Sequence, residues 1–371
     1  MKRIILLICV CFPSFYTPAQ NNFVNPDNTR FVNYSAKILW VKDIGDSLSA
    51  LVSKPDNRIF VAAKYGKIFC FDLSGKLIWT HDVKRSIIGN PIDSNGNLII
   101  STLSGDLISL NDSTGEVIQT IGLDDPLTSP LIEISTSYNG QLTDAVIVGS
   151  SKGVVYCYDI NSFEMIWENH SATGKIISMP LALDNKIIFT SNDGFLYCID
   201  SRSGMLIWKW TIPKNKNISL VDCSPVSDGR NVFVCSPHNF LSSIDLMLGS
   251  TKWKNNYYDC SSTLMISDNR KFLFVKSLKD NFYIVSANDG KPFRKLNMNF
   301  GEDSTKNAFL EWKGNVLFSA GNGKVYLVEN NFKWKPLFDM LDGAVQNIIH
   351  LKDDTFVASG VSGRVVEFNL K

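Results

Sequence analysis

Histidine is scarce in this chain. Only His81, His170, His238 and His350 occur among 371 residues, and no two stand four apart, so the paired-histidine zinc motif of a metalloprotease helix is missing. No glycine-rich phosphate loop is present, which leaves a nucleotide-binding reading without support. Neither sign of charge is in excess: 37 Lys and Arg face 36 Asp and Glu, for a net charge of +1. A chain so balanced has no basic surplus with which to grip phosphates, so nucleic acid is a poor partner. Apolar residues at 44% and charged residues at 20% are ordinary for a globular protein.

Long apolar runs are nearly absent. The first one, Ile4 to Phe12, is about half of the roughly 20 residues a spanning helix needs. With Lys2-Arg3 before it and Thr17-Pro18-Ala19 after it, residues 1–19 read as an export signal removed near Ala19. Cys9 and Cys11 follow Ile8 and Val10, where a bacterial lipoprotein signal carries a small residue, so lipidation is not expected. Residues 20–35 read as a polar lead-in. The mature protein is expected to be exported, in a periplasm, cell envelope or extracellular space, with no membrane span and as a monomer.

What the sequence has is a repeated phrase. Gly194-Phe-Leu-Tyr-Cys-Ile-Asp200-Ser-Arg-Ser-Gly-Met-Leu-Ile-Trp208 has close copies at Gly66 to Trp79 and Gly153 to Trp167. Worn copies open at Gly105, Asn239, Asp280 and Gly323, and a shorter one runs from Gly363 to Lys371. Successive openings lie 39 to 48 residues apart, a period that marks a repeat architecture. Within one period, Lys186-Ile-Ile-Phe-Thr190 is β-branched and aromatic, Asp193-Gly194 is a hairpin signal, and two further strands follow around the turn Ser201–Gly204. Four antiparallel strands in about 40 residues make one propeller blade. The expected fold is all-β: a single domain over 36–371, an eight-bladed propeller of four-stranded antiparallel blades. Ala36 to Val41 is expected to supply the missing fourth strand of the last blade, which removes two open edges.

Several residue types then acquire structural roles. Pro91, Pro130, Pro180 and Pro225 each fall at the start of a first strand, as suits an inner edge strand where no N–H is needed. Asp72, Asp159, Asp200 and Asp245 end third strands, where a carboxylate can accept turn N–H groups. Trp40, Trp79, Trp167, Trp208 and Trp253 should wedge against neighbouring blades. At Gln119 and Arg294 the tryptophan lapses, and those junctions are expected to be less tightly packed. Gly66, Gly105, Gly153, Gly194, Gly323 and Gly363 open the hairpins. Cys70, Cys157 and Cys198 share one slot in different blades and so are expected to be separate buried thiols. Cys223 and Cys235 flank a hairpin and form the one disulfide candidate; Cys260 reads as a free thiol. Asp93-Ser-Asn-Gly-Asn97 begins like a calcium loop but lacks its later ligands, so it reads as a turn. Asp124-Asp125-Pro126 reads as a solvated turn.

The phrase resembles the repeat of pyrroloquinoline-quinone-type eight-bladed propellers, of the quinoprotein-like and WD40-like superfamily. In size, export signal and lack of further domains the chain is similar to the BamB family of outer-membrane assembly factors. That resemblance implies a non-catalytic protein-binding scaffold, with partners among outer-membrane assembly components. Quinone-dependent dehydrogenases with this repeat are longer and often carry adjacent cysteines over the cofactor; no Cys-Cys pair occurs here. The haem motif Cys-x-x-Cys-His is also absent. No catalytic, cofactor-binding or metal-binding residue is therefore assigned. Partner binding is expected at two adjacent connections, around Lys214, Lys216 and Asn217 and around Tyr257 and Tyr258, whose exposed tyrosine, amide and lysine suit an interface. The alternatives are a propeller binding carbohydrate or a small ligand at its channel mouth and, behind it, a quinone-dependent dehydrogenase.

Overall fold

A computed structural model of the chain describes residues 34–46, 48–54, 57–211, 223–236, 240–303, 305, 308–341 and 343–371, without the side chains of 49–54 and 262. Residues 1–33, which include the export signal and most of the lead-in, lie outside the described residues. So do Lys214, Lys216 and Asn217.

Among the described residues every regular element is a strand, and the strands form eight four-stranded antiparallel sheets. Seven sheets are consecutive meanders, spanning 48–82, 87–122, 132–169, 181–211, 226–255, 260–302 and 309–339 (blades one to seven). The eighth joins both ends of the ring. Ala36–Asp43 pairs antiparallel with Arg364–Leu370, which is followed inward by Thr355–Gly360 and Val345–Lys352. Trp40 lies opposite Glu367 across that seam. The protein is an eight-bladed β-propeller closed by its N-terminal strand.

The burial pattern follows from strand position within a blade. Second and third strands are buried on both faces, as in Ile187 to Thr190 and Leu196 to Ile199, because each face packs on a neighbouring blade. Fourth strands alternate and expose one side, as in Leu206–Thr211. First strands border the axis. A cavity of about 540 Å³ is lined by Pro91, Asp93, Glu133, Met179, Pro180 and Ile349, drawn from the first strands of blades two, three, four and eight and the residues that enter them. Pro91 sits in a register irregularity of its strand, where a ladder donor is not required.

The longest spacing, from Gly105 to Gly153, is taken up by a longer hairpin in blade three. Its first and second strands, Ile132–Tyr138 and Gln141–Gly149, simply run further before turning at Asn139-Gly140. Asn95 and Gly96 likewise make a two-residue hairpin turn, both with positive φ, between the paired residues Ser94 and Asn97.

In several blades a second set of contacts ties neighbours together near the end of the second strand. Thr190 Oγ1 donates to the Cys223 carbonyl at 3.1 Å, and Ser319 Oγ donates to the Val345 carbonyl at 2.8 Å. At the same slot in blade six stands Lys276, wholly buried and ion-paired with the equally buried Asp303, which leads into blade seven. Burial lowers the Lys276 pKa, opposed by Asp303. Asp303 stays below its ordinary value: burial raises it, but bonds from Lys276, Thr305 and the Gly321 N–H outweigh that.

Candidate functional site

The residues that recur in every phrase are used in the seams. Asp200 Oδ1 accepts the N–H groups of Arg202 and Ser203 at 3.1 and 2.9 Å. Asp159 and Asp245 make the same pair of bonds to their own turns, Asn111 replaces them in blade two, and Asp72, in a turn one residue shorter, accepts the N–H groups of Ser74 and Lys76. Asp72 is held below the usual carboxylate range chiefly by the Ser74 hydroxyl. For Asp159 and Asp200 burial acts in the opposite sense, and hydrogen bonds from Thr143 and Ser162 in one case and Ser203 in the other overcome it. These carboxylates are ionised turn caps.

Each tryptophan reaches across to the next blade's turn. Trp40, Trp79, Trp167, Trp208 and Trp253 donate their indole N–H to the carbonyls of Leu73, Asp112, Ser201, Leu246 and Ala287, at 2.9 to 3.1 Å. The acceptor is in every case the residue just after the third strand. The indole face lies against that turn's glycine, so a Cβ on Gly204 would sit 2.6 Å from Trp167 and one on Gly249 2.7 Å from Trp208. Glycine is required there twice over, since φ is also positive at both.

Where tryptophan lapses, other side chains enter the junction. Gln119 Nε2 donates to the Ser162 carbonyl at 2.8 Å, and the glycine slot holds Phe163, with φ 55 and 4% exposure. At the other lapse Phe332, φ 67, fills the slot and the Arg294 guanidinium lies 5.1 Å from its ring centre. In both lapses the slot that is glycine at the tryptophan junctions is a phenylalanine from the next blade. The signal was present in the sequence, but it is visible only when a fourth-strand slot is compared with the following repeat's turn.

Of the predicted partner-binding residues, the structure separates the two tyrosines. Tyr257 is 59% exposed, whereas Tyr258 is 1% exposed and donates its hydroxyl to the Gly290 carbonyl at 2.6 Å. The expectation that Tyr258 is exposed is corrected: its ring is core between blades five and six. Tyr257, Tyr258 and Tyr283 form an edge-to-face cluster with ring centres 5.1 to 5.9 Å apart. Asn255 orients the connection, accepting the Tyr257 N–H at 2.8 Å and donating to Gly290 at 2.9 Å. Asn169 does the same with Ser171 and Gly204 two blades earlier. Tyr257 is thus a partly exposed ring packed edge-to-face on Tyr258 and Tyr283.

The six cysteines among the described residues are all buried. Burial pushes Cys157, Cys198 and Cys260 up to about 12, so none is a reactive thiolate. Asp125, expected in a solvated turn, is buried and accepts the Ser151 hydroxyl at 2.8 Å, pinning blade two's exit to blade three. No group of three metal-ligating side chains is assembled among the described residues.

Comparison with known proteins agrees with this geometry. The family model described as outer membrane protein assembly factor BamB matches residues 30–296. The chain is 24% identical over 270 residues to outer membrane protein assembly factor BamB of Moranella endobia (strain PCIT), covering 69% of this chain and 58% of that protein. It is 27% identical over 130 residues to the Burkholderia pseudomallei protein of that name, covering 34% of it. The matched stretches therefore span less than two thirds of these relatives. Among solved structures, BamB from Moraxella catarrhalis superposes with a TM-score of 0.71 at 16% identity, over 90% of this chain and 99% of that one. Sqt1 of Saccharomyces cerevisiae superposes with a TM-score of 0.75 at 14% identity, over 91% and 100%. At such identities the superpositions speak for the fold alone. The family match extends over most of the ring: this chain belongs to the outer membrane protein assembly factor BamB family.

Proposed function

We propose that this protein is an exported, non-catalytic scaffold in outer-membrane protein assembly, acting as a monomer and presenting the blade five to six connection to a protein partner. The observation that carries the reading is the family match over 30–296, joined to the use of the recurrent side chains. The repeated Asp, Trp and Gly are spent on turn caps and blade seams, which leaves function to the connections over a rigid frame. Tyr257 supplies an anchor there, and Lys214, Lys216 and Asn217 on the preceding connection supply the polar rim such an interface uses. The family match favours this reading over a carbohydrate- or small-ligand-binding propeller.

The test is affinity purification of the tagged full chain from a native envelope, with mass spectrometry of what accompanies it. Outer-membrane assembly proteins recovered with wild type and reduced with Tyr257→Ser support the proposal. Recovery of none, or recovery unchanged by Tyr257→Ser together with Lys214→Ser and Lys216→Ser, overturns the scaffold or the surface respectively. Dye reduction by the purified protein with calcium and the quinone would overturn the non-catalytic reading. The mass of the N-terminal peptide shows whether residues 1–19 are removed.

A further inference from the structure

Blade five carries a pair of thiols where blade four carries a pair of hydroxyls. In blade four, Ser178, two residues before Pro180, lies 2.6 Å from the hydroxyl of Thr190 at the end of the second strand. The same two slots in blade five are Cys223, two residues before Pro225, and Cys235, on the second strand Asn231–Ser236. Their sulfurs are 3.4 Å apart, and the Cys235 N–H donates to the Cys223 sulfur at 3.1 Å. Both side chains are fully buried. Both slots change together, and the hydroxyls' separation is a hydrogen bond's, so the positions face each other for a reason of backbone register and not of sulfur chemistry. Two thiols placed by that register are already aimed for a covalent bond.

We propose that Cys223 and Cys235 are joined as a disulfide in the mature protein, and that Cys260 stays reduced. The reaction is a two-electron thiol–disulfide exchange: a disulfide-bearing oxidant attacked by one thiolate gives a mixed disulfide, and the second thiolate displaces the oxidant's remaining thiol. The S–S bond forms, both thiol protons are released, and the oxidant leaves as two thiols. In the folded ring the Cys235 pKa is driven well above its ordinary value, first by burial and then by Cys223. The exchange therefore belongs to the folding chain, before blades five and six close over the pair. The bridge acts where the fold is thinnest. The inner strand of blade five, Val226–Ser227, has only two residues in the ladder, and a covalent link three residues before it holds that edge to the second strand. The Cys260 sulfur instead points to the Phe240 carbonyl, 3.9 Å away, and Cys235 donates onward to the Ser261 carbonyl at 3.1 Å.

The pairing rests on the proposed export only for access to an oxidant in the cell, so it is tested first without the cell. The full chain is refolded from denaturant with oxidised and reduced glutathione, alkylated in denaturant without reductant, and mapped by mass spectrometry. The expected result is a linked pair of peptides containing Cys223 and Cys235, with Cys70, Cys157, Cys198 and Cys260 alkylated. Reductant should lower Tm by several degrees in wild type and leave the Cys223→Ser, Cys235→Thr double variant unmoved. That variant restores the hydroxyl pair of blade four and so should fold. Alkylated Cys223 and Cys235 in the refolded protein, or a bridge that uses Cys260, overturns the proposal. The same mapping on envelope-purified protein reads the mature state: alkylated Cys223 and Cys235 there overturn the proposal, while the mass of the N-terminal peptide reports on export separately.

Discussion

Gln119 and Phe163 hold the two slots that Trp167 and Gly204 hold one blade later. The amide of Gln119 also bonds the next blade's turn, but at the Ser162 carbonyl, two residues beyond the slot that accepts the Trp167 indole at Ser201, at 2.8 Å against 3.0 Å. The phenyl ring of Phe163 then stands where the indole would have lain over a glycine. Two residues 44 positions apart thus behave as one packing unit, because the seam between blades has a fixed volume and close packing leaves no room for a void.

That unit should be transferable. Trp167→Gln alone removes a buried ring and is expected to cost about 3–5 kcal/mol. Gly204→Phe alone drives a ring into the Trp167 indole and should be at least as damaging. The double variant should be more stable than the sum of the two losses by about 0.5–3 kcal/mol. Urea unfolding of the four proteins checks this, and strict additivity would refute the exchange.

The closure seam should be sensitive to pH. Glu367 is 4% exposed and lies opposite Trp40. Burial pushes its pKa to about 6, against opposition from the nearby Trp40 indole and the Lys352 charge. An acid whose pKa rises on folding holds its proton more tightly in the native state. Its contribution is therefore full below the unfolded value of 4.5 and is lost as pH rises through about 6. The difference is about 2 kcal/mol. Glu367→Gln should match wild type at pH 4 and exceed it at pH 8, with the gap opening between. A gap independent of pH in thermal melts would show that Glu367 is not the titrating group.

Breaking the Lys276–Asp303 pair from one side should be worse than removing it. Asp303→Asn leaves a buried ammonium without its counter-charge, at an expected cost of about 3–5 kcal/mol. Lys276→Met combined with Asp303→Asn removes both charges and should recover part of that loss. Denaturant midpoints for the single and double variants decide it; a double variant less stable than Asp303→Asn would mean that the lysine stem, not its charge, matters.

The two neighbouring tyrosines should differ in stability although they are adjacent in sequence. Tyr258→Ser empties a buried ring site and strips one of two donors from the Gly290 carbonyl, so a loss of about 3–5 kcal/mol is expected. Tyr257→Ser, at an exposed position, should cost under about 1 kcal/mol. Melting curves of the two variants make the comparison, which also establishes that any loss of partner with Tyr257→Ser is not a loss of fold.

The fold was legible because a blade is a local object. Period, hairpin glycines, strand-ending aspartates and inner-edge prolines all act within about 40 residues, and each has a single physical use there. The closing strand was legible for a related reason: Ala36 to Val41 reads as a fourth strand without a blade, and Arg364–Leu370 lacks one. Tyr258 was misjudged because exposure is not a property of a connection as a whole. Its backbone lies in a surface loop, yet its ring turns inward onto Tyr283 and Gly290. Likewise Asp125 looked like a turn carboxylate until the blade three hairpin bearing Ser151 was seen to meet it.

By itself, then, the sequence determined the number of blades, their strand order and the manner of closure, since these follow from a pattern repeated along the chain. Only the tertiary structure decided which side chains face each other across a seam: Gln119 with the Phe163 turn, Lys276 with Asp303, Cys223 with Cys235. Those pairings depend on how one sheet is rotated against the next, and that rotation is set by volumes filled from both sides at once, which no single repeat contains.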